Sequence, residues 1–285
     1  MIFTNLRNEY HQRICRDIIR ITQNKQKTYP NFADSSSKES MAIAWSIAKQ
    51  IGFQDTQAIQ LSGQSSGSLF EEITRIFLQE SFEYLKHIRP GRWQYLAQKA
   101  ISDFEQYAHL KILKTLIQNN PEVASSLGGD YIITPDIVIA REPMSDDELN
   151  SKMQLLDDNK KTAVYSPLRR NNTTSPLLFL HASISCKWTI RSDRSQNART
   201  EALNLIRNRK GHVPHIVTIT AEPLPTRLAS LALGTGDLDC VYHFALPELI
   251  LAAGEISEGQ ADILNIMIEG KRLRDISDLP LDLAM

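Results

Sequence analysis

The chain has 285 residues, 42% of them hydrophobic and 23% charged, which is the length and composition of a globular protein with a sizeable core. Three widely spaced cysteines exclude a disulfide framework and the usual zinc-binding patterns, and a net charge of −1 does not by itself indicate a nucleic-acid partner. No secretory signal or membrane-spanning apolar run is recognisable, so we expect a cytoplasmic protein without membrane contact.

Two amphipathic helices are predicted in the first 60 residues. Isoleucines recur at helical spacing over 10–22, and apolar residues do so over 41–51. The serine-rich segment from Asp34 to Ser37 precedes the second helix. It suits a helix N-cap, because a Ser or Asp side chain can accept hydrogen bonds from the first amides of the helix.

The next segment, 63–71, is rich in Gly and Ser and is predicted to be a flexible loop that runs into a helix. Ser68 and Glu71 have the spacing of a capping box, which would explain both residues without any function. Helical patterns then continue through 104–118 and are stopped by Asn119-Asn120-Pro121.

Three apolar runs predict strands near 130–140, 177–188 and 214–221. Pro135 in the first run predicts an edge position or a bulge. A polar segment, 141–175, separates the first two strands as a long excursion, which is typical of a functional loop, a disordered segment or an oligomer contact. With a helix predicted over 195–208, the fold class is α/β in a single domain, 1–285, with a central mixed sheet flanked by helices.

Lys187 stands at the end of the second predicted strand. A lysine there can simply extend its amine to water, but a buried ammonium requires an anionic neighbour. Two carboxylates favour the second interpretation, because Asp136 lies in the preceding strand and Glu201 in the following helix. The order Pro135-Asp136, 48 residues, Ser185-Cys186-Lys187, 13 residues, Glu201 matches the PD…(D/E)xK pattern of metal-dependent nucleases in its serine variant. Such a short match is weak when it stands alone.

The residues that follow Lys187 carry a concentrated positive charge. Segment 187–210 contains seven basic and two acidic side chains, which is typical of a phosphate-binding face but also of a solvated helix. Within it, Arg191, Asp193 and Arg194 suit base reading, because Arg pairs with guanine O6 and N7 and Asp accepts from cytosine N4. They indicate a G·C-rich target, and a surface ion-pair network is the alternative.

Taken together, these motifs resemble the type II restriction endonucleases that cut targets with a CCGG core. The resemblance covers most of the chain and is poor only over 1–30, 143–176 and 250–268. It implies the PD…(D/E)xK restriction-endonuclease-like core. It also implies Mg²⁺-dependent hydrolysis of both strands of double-stranded DNA at a palindromic site, GCCGGC, with 5′-phosphate ends.

The resemblance also implies roles for individual residues. The expected catalytic residues are Asp136, Lys187, Glu201, Glu71 and Ser185. The expected Mg²⁺ ligands are Asp136, the backbone carbonyl of Cys186 and Glu71. The expected DNA-binding residues are Arg191, Asp193, Arg194, Arg227, Gln64, Asp34 and Ser36. For Arg227 the alternative is an ordinary loop arginine.

The implied partners are a second copy of the chain and a cognate DNA methyltransferase of the same restriction-modification system. A palindromic site requires at least a dimer, and the resemblance implies a homotetramer. Two other functions fit the same fold: a DNA-binding protein that does not cut, and a repair or junction nuclease. The intact Asp136, Lys187 and Glu201 argue against the first, and the base-reading cluster at 191–194 argues against the second.

Overall fold

A computed structural model describes residues 1–24, 27–54, 62–120, 122, 132–157, 161–170, 176–190, 192–234 and 236–285, with only the backbone described at 24 and 192–196. The chain divides into two compact units that alternate along the sequence. The first unit comprises 1–89, 184–203 and 215–285, and the second comprises 90–183 and 204–214. The single-domain organisation stays a prediction.

The described secondary structure alternates between helices and strands. The helices are α1 (Ile2–Asp17), α2 (Lys38–Gln50), α3 (Gly63–Glu83), α4 (His109–Gln118), α5 (Asp146–Leu149), α6 (Ser192–Asn208), α7 (Pro225–Ala232), α8 (Leu246–Ile256), α9 (Glu258–Glu269) and α10 (Leu279–Asp282). The strands are β1 (Ile21–Asn24), β2 (Lys27–Pro30), β3 (Trp93–Ala97), β4 (Ile137–Arg141), β5 (Phe179–Lys187), β6 (His215–Thr220), β7 (Cys240–His243) and β8 (Leu273–Asp275).

Six of these strands form one sheet in the order β3–β4–β5–β6–β7–β8. Strands β3 and β4 are antiparallel, whereas β6 runs parallel to β7 and β7 parallel to β8. The parallel strands are almost fully buried, as expected where helices cover a sheet. Strands β1 and β2 form a separate antiparallel pair. The predicted α/β class with a mixed sheet is confirmed.

The first unit is held by apolar helix faces and by a few buried polar contacts. The Tyr10 hydroxyl lies 3.1 Å from Thr74 Oγ1, which links α1 to α3. Arg7 donates to both Glu248 and Asp275 at 2.6–3.0 Å, so α1 is also joined to α8 and β8. A buried guanidinium with two carboxylate partners is strongly favoured over the same groups left unpaired.

In the second unit, the side chain of Gln106 binds the backbone of β5 near its start. Its side-chain amide donates to the Leu180 carbonyl at 2.6 Å and accepts from the Leu180 amide at 3.0 Å. The Tyr107 hydroxyl donates to the Leu205 carbonyl at 2.9 Å. These contacts tie the backbone of β5 and α6 to the 106–107 segment, and they satisfy the buried polar groups of both side chains.

Two predictions about helix starts and ends are wrong. Helix α1 ends at Asp17 instead of continuing to 22, because the next residues pair as β1 with β2. The segment 63–71 is already helical from Gly63, and Ser62 is the N-cap whose hydroxyl accepts from Ser65 N at 3.0 Å. Ser68 and Glu71 therefore lie inside α3 and form no capping box.

The strand predictions need three corrections. Strand β3 interrupts the helical pattern and was missed, because a half-exposed edge strand shows no clear apolar alternation. Strands β7 and β8 were also missed, since four and three residues give too short a pattern. Strand β4 begins at Ile137 and lies between β3 and β5, so Pro135 precedes the strand and marks neither an edge nor a bulge.

The described part of the polar excursion after β4 contains local structure. Ser145 and Glu148 form a capping box at the start of α5. Arg169 pairs with Asp146 at 2.5 Å, which ties the far side of the excursion back to that short helix. Among the described residues, no helix is both long enough and apolar enough to span a membrane.

Candidate active site

The end of β5 presents the predicted catalytic lysine. Ser185 and Lys187 are half-buried, whereas Cys186 between them is buried. Because side chains alternate along a strand, Ser185 and Lys187 share one face of the sheet and Cys186 takes the other. The Lys187 carbonyl accepts from Ala221 N at 3.3 Å, so the strand end is held by the residue that follows β6.

An aromatic cluster of Trp188, Phe32, Phe70 and Phe244 surrounds this strand end. The Trp188 ring lies 5.2 Å from Phe70, 5.5 Å from Phe32 and 6.0 Å from Phe244, measured between ring centroids. Tilted and edge-on contacts at such distances are favourable for aromatic rings. Since Trp188 follows Lys187 and Phe70 precedes Glu71, the cluster brings the segments that carry these two predicted catalytic residues together.

Helix α3 carries two predicted site residues on one side. Gln64 is exposed in the first turn and Glu71 is half-buried two turns later. Residues seven apart lie on the same side of a helix, at about 10 Å along its axis. Gln64 therefore lies at the exposed end of the side of α3 that also carries Glu71.

Helix α6 begins at Ser192, immediately after Arg191, which lies outside the described residues. Asp193 and Arg194 occupy its first turn, where the structure describes the backbone alone. Glu201 follows two turns later and is half-buried. The helix predicted over 195–208 is confirmed, and its residues Ala198, Ala202 and Leu205 are buried.

One arginine of the basic segment 187–210 has an internal role. Arg199 pairs with Asp237 at 3.0 Å and donates to the Leu231 carbonyl at 3.1 Å. Gly234 has φ +109°, and a Cβ there would meet the Arg199 guanidinium at 3.1 Å. Arg199 is thus fitted into the loop before β7.

Three of the expected DNA-binding residues, Asp34, Ser36 and Arg227, come together. Asp34 Oδ1 accepts from the amide and the hydroxyl of Ser36 at 2.9 and 2.8 Å, and its Oδ2 pairs with the Arg227 guanidinium. The Ser36 amide and Arg227 lower the pKa of Asp34, so its carboxylate stays ionised. Ser37 is the N-cap of α2, so neither Asp34 nor Ser36 is needed for capping.

The sequence reasoning missed Glu222, which lies next to this cluster. Glu222 is only 1% exposed, and its Oε2 accepts from Ile190 N at 2.9 Å and lies 3.9 Å from Arg227 Nη1. Burial raises the pKa of Glu222 to about 7. A single acidic residue that ends the apolar run of β6 was the signal for it.

Asp136 belongs to the second unit. It is half-buried immediately before β4, and its carbonyl accepts from Gln98 N at 3.2 Å. The backbone of Asp136 is therefore fixed next to the strand that bears the apolar run Ile137–Arg141.

The donor chemistry of the predicted metal ligands suits a hard cation. Asp136 and Glu71 offer carboxylate oxygens and Cys186 offers a backbone carbonyl, and oxygen donors of this kind favour Mg²⁺ over softer metals. In the described ranges, no group of three or more His, Cys, Asp or Glu side chains could hold a metal ion. Mg²⁺ needs no such protein cage, since it is usually held by one or two carboxylates, water and phosphate oxygens.

Comparison with known proteins identifies the family. The family described as "NgoMIV restriction enzyme" matches residues 10–285. The chain is 49% identical over 290 residues to the type II restriction enzyme NgoMIV of Neisseria gonorrhoeae, with 100% of this chain and 99% of that protein covered.

Two solved structures of restriction endonucleases are also similar to the chain. Bse634I, a type IIF enzyme with cognate DNA, is 13% identical with a TM-score of 0.40, covering 86% of this chain and 99% of that one. A PspGI–substrate DNA complex is 15% identical with a TM-score of 0.37, covering 99% and 91%. Scores this low carry no argument, whereas the family match and the full-length identity do. The chain belongs to the NgoMIV restriction enzyme family and is a type II restriction endonuclease, a site-specific deoxyribonuclease.

Proposed function

We propose that this endonuclease hydrolyses both strands of double-stranded DNA at the palindrome GCCGGC, in a Mg²⁺-dependent reaction that leaves 5′-phosphate ends. The observation that carries the proposal is the contact between Asp34 and Arg227. A guanidinium can pair with guanine O6 and N7 while the adjacent carboxylate accepts from cytosine N4. The pair therefore has the two groups needed to read one outer G·C base pair, and Arg191, Asp193 and Arg194 would read the CCGG core.

The proposed catalytic roles follow from the chemistry of the residues. Asp136 and the Cys186 carbonyl would hold Mg²⁺, with Glu71 and Glu201 acting directly or through water. The bound metal would stabilise charge on the scissile phosphate and the leaving oxygen. Lys187, with Ser185 on the same face of β5, would orient the attacking water and donate to a phosphate oxygen. The attacking water then gives up one proton to solvent as its oxygen forms the new bond to phosphorus, the bond from phosphorus to O3′ breaks, and the departing 3′ oxygen takes up one proton from solvent.

Digestion of plasmid DNA with Mg²⁺, followed by sequencing of the ends, tests the target site. We expect every cut to lie within GCCGGC and every end to carry a 5′-phosphate. Arg191→Ala or Arg194→Ala should each lower discrimination at an inner guanine by about 1–3 kcal/mol, and Arg227→Ala should do so at the outer guanine.

Arg207→Ala is the matched control for these variants, because Arg207 is an exposed arginine of the same basic segment. Loss of a phosphate contact there would weaken binding to all sequences equally and leave base discrimination unchanged. Cuts at sequences that lack CCGG would refute the proposed specificity.

We also propose that the enzyme acts as a homotetramer, two dimers that each bind one palindrome, and that a cognate methyltransferase protects host sites. Twofold symmetry of the target requires two active sites related by a twofold axis. A tetramer should cut a two-site plasmid faster than a one-site plasmid, and a short cognate duplex should stimulate cleavage of the latter. Equal rates on both plasmids, with a dimer mass in light scattering, would exclude the tetramer.

A further inference from the structure

Among the acidic side chains that the structure describes, Glu222 is the least exposed one near the proposed base-reading residues. It follows β6, is 1% exposed, and has no place in the catalytic scheme above. Its backbone is also held, since its amide donates to Thr220 Oγ1 at 3.1 Å and its carbonyl lies 3.2 Å from His243 Nε2. Because both its backbone and its carboxylate are held by hydrogen bonds, Glu222 can hold the segments that it contacts in fixed positions.

The two carboxylate oxygens of Glu222 reach two different segments. Oε2 accepts from Ile190 N at 2.9 Å, and Ile190 is the residue before Arg191. Oε1 accepts from Leu224 N at 3.2 Å, and Leu224 is the N-cap of α7, the helix that carries Arg227. We call residues 191–194 the inner reading segment. The Glu222 carboxylate thus joins the residue before this segment to the start of α7, the helix that carries Arg227.

The electrostatics agree with this arrangement. Burial raises the pKa of Glu222 to about 7, while the Ile190 amide, Arg227 and the Leu224 amide oppose that rise. Buried carboxylates are retained only where such donors surround them, and a donor left without its acceptor is costly. Arg227 therefore stands between two carboxylates, Asp34 on its exposed side and Glu222 on its buried side.

We propose that Glu222 is a positioning residue for base recognition, which holds the inner reading segment and Arg227 in fixed positions relative to each other through Ile190 N and Leu224 N. The inference rests on the proposed function, because it requires 191–194 and Arg227 to read bases. Its consequence is that a single change at Glu222 relaxes selectivity at inner and outer base pairs together, whereas Arg227→Ala relaxes it at the outer pair alone.

The test compares cleavage of three duplexes: the cognate GCCGGC, one with the outer G·C pairs replaced by A·T, and one with the central C·G pairs replaced. Each ratio of kcat/KM between cognate and altered duplex measures selectivity at one position. We expect Glu222→Gln to reduce both ratios by about 10-fold. Each displaced base-reading side chain would lose a base contact, and one such contact contributes about this much discrimination. Unfolding of part of the sample cannot produce this result, because it lowers all rates by the same factor.

Two further variants complete the test. Glu222→Asp keeps the charge but is one methylene too short to reach both amides, so it should also reduce both ratios. This variant provides the test if Glu222→Gln folds poorly. Glu248→Gln is the matched control, since it alters a carboxylate that pairs with Arg7 instead, and it should leave both ratios unchanged. Wild-type ratios in a folded Glu222 variant, or a change at the outer pair alone, would overturn the inference. If the wild-type enzyme does not cut at CCGG, the proposed function itself has failed.

Discussion

Replacing Lys187 with alanine is expected to abolish cleavage while leaving specific DNA binding largely in place. In the proposed mechanism, the ammonium of this half-buried lysine at the end of β5 would stabilise charge that develops at the phosphate in the transition state. Removing one preorganised donor of this kind typically slows the chemical step by about 100-fold or more. Single-turnover cleavage with Mg²⁺ measures the loss, and gel-shift binding to GCCGGC without metal measures the retained affinity. Asp136→Ala should give the same separation of cleavage from binding.

Lys49→Ala provides the matched control, because Lys49 is an exposed lysine of α2 in the same unit. It should cleave and bind as the wild type does. Wild-type cleavage by either Lys187→Ala or Asp136→Ala would show that the catalytic assignment is wrong. Loss of binding in step with cleavage would instead mean that the residue serves affinity and not the chemical step.

The second large effect is expected at Trp188. Trp188→Ala would open a cavity among Phe32, Phe70 and Phe244 and should lower the free energy of unfolding by about 3–5 kcal/mol. Chemical denaturation measures this loss. Cleavage should also fall at temperatures where the variant is still folded, because contacts of Trp188 hold the segment after Lys187 against the residue before Glu71.

Two controls separate these effects. Trp188→Phe keeps an aromatic ring in the cluster. It also breaks no hydrogen bond, because Trp188 Nε1 has no hydrogen-bond partner among the described residues. It should be clearly more stable than Trp188→Ala. Leu264→Ala removes a buried side chain of α9 and should destabilise the protein without slowing cleavage of the folded fraction. Equal cleavage by folded Trp188→Ala and Leu264→Ala would contradict the positioning role of the cluster.

The sequence predicts the long buried strand β5 well because nearly every position over 178–186 is apolar or small, which gives a strong signal. The same holds for α6, where Ala198, Ala202 and Leu205 recur at helical spacing. Short or half-exposed strands such as β3 and β8 give no such signal, since their pairing partners and not their own side chains determine them. The start of α3 was misjudged for a related reason. Gly63 and Gly67 favour a loop locally, but the Ser62 cap and the burial of Ser66 and Phe70 stabilise a helix.

By itself, the sequence indicated the family and the type of chemistry, because the spacing of Asp136, Lys187 and Glu201, together with the cluster at 191–194, resembles the pattern of that family. It also identified Asp34, Ser36 and Arg227 singly, through resemblance. Only the tertiary structure decided that these three meet in one hydrogen-bonded cluster, that Trp188 joins the segments of Lys187 and Glu71, and that the Glu222 carboxylate accepts from both Ile190 N and Leu224 N. The physical reason is that the contacts between separate segments join residues 32 to 193 positions apart, and a local pattern carries no information about which distant groups will satisfy a buried carboxylate or fill the space beside a ring.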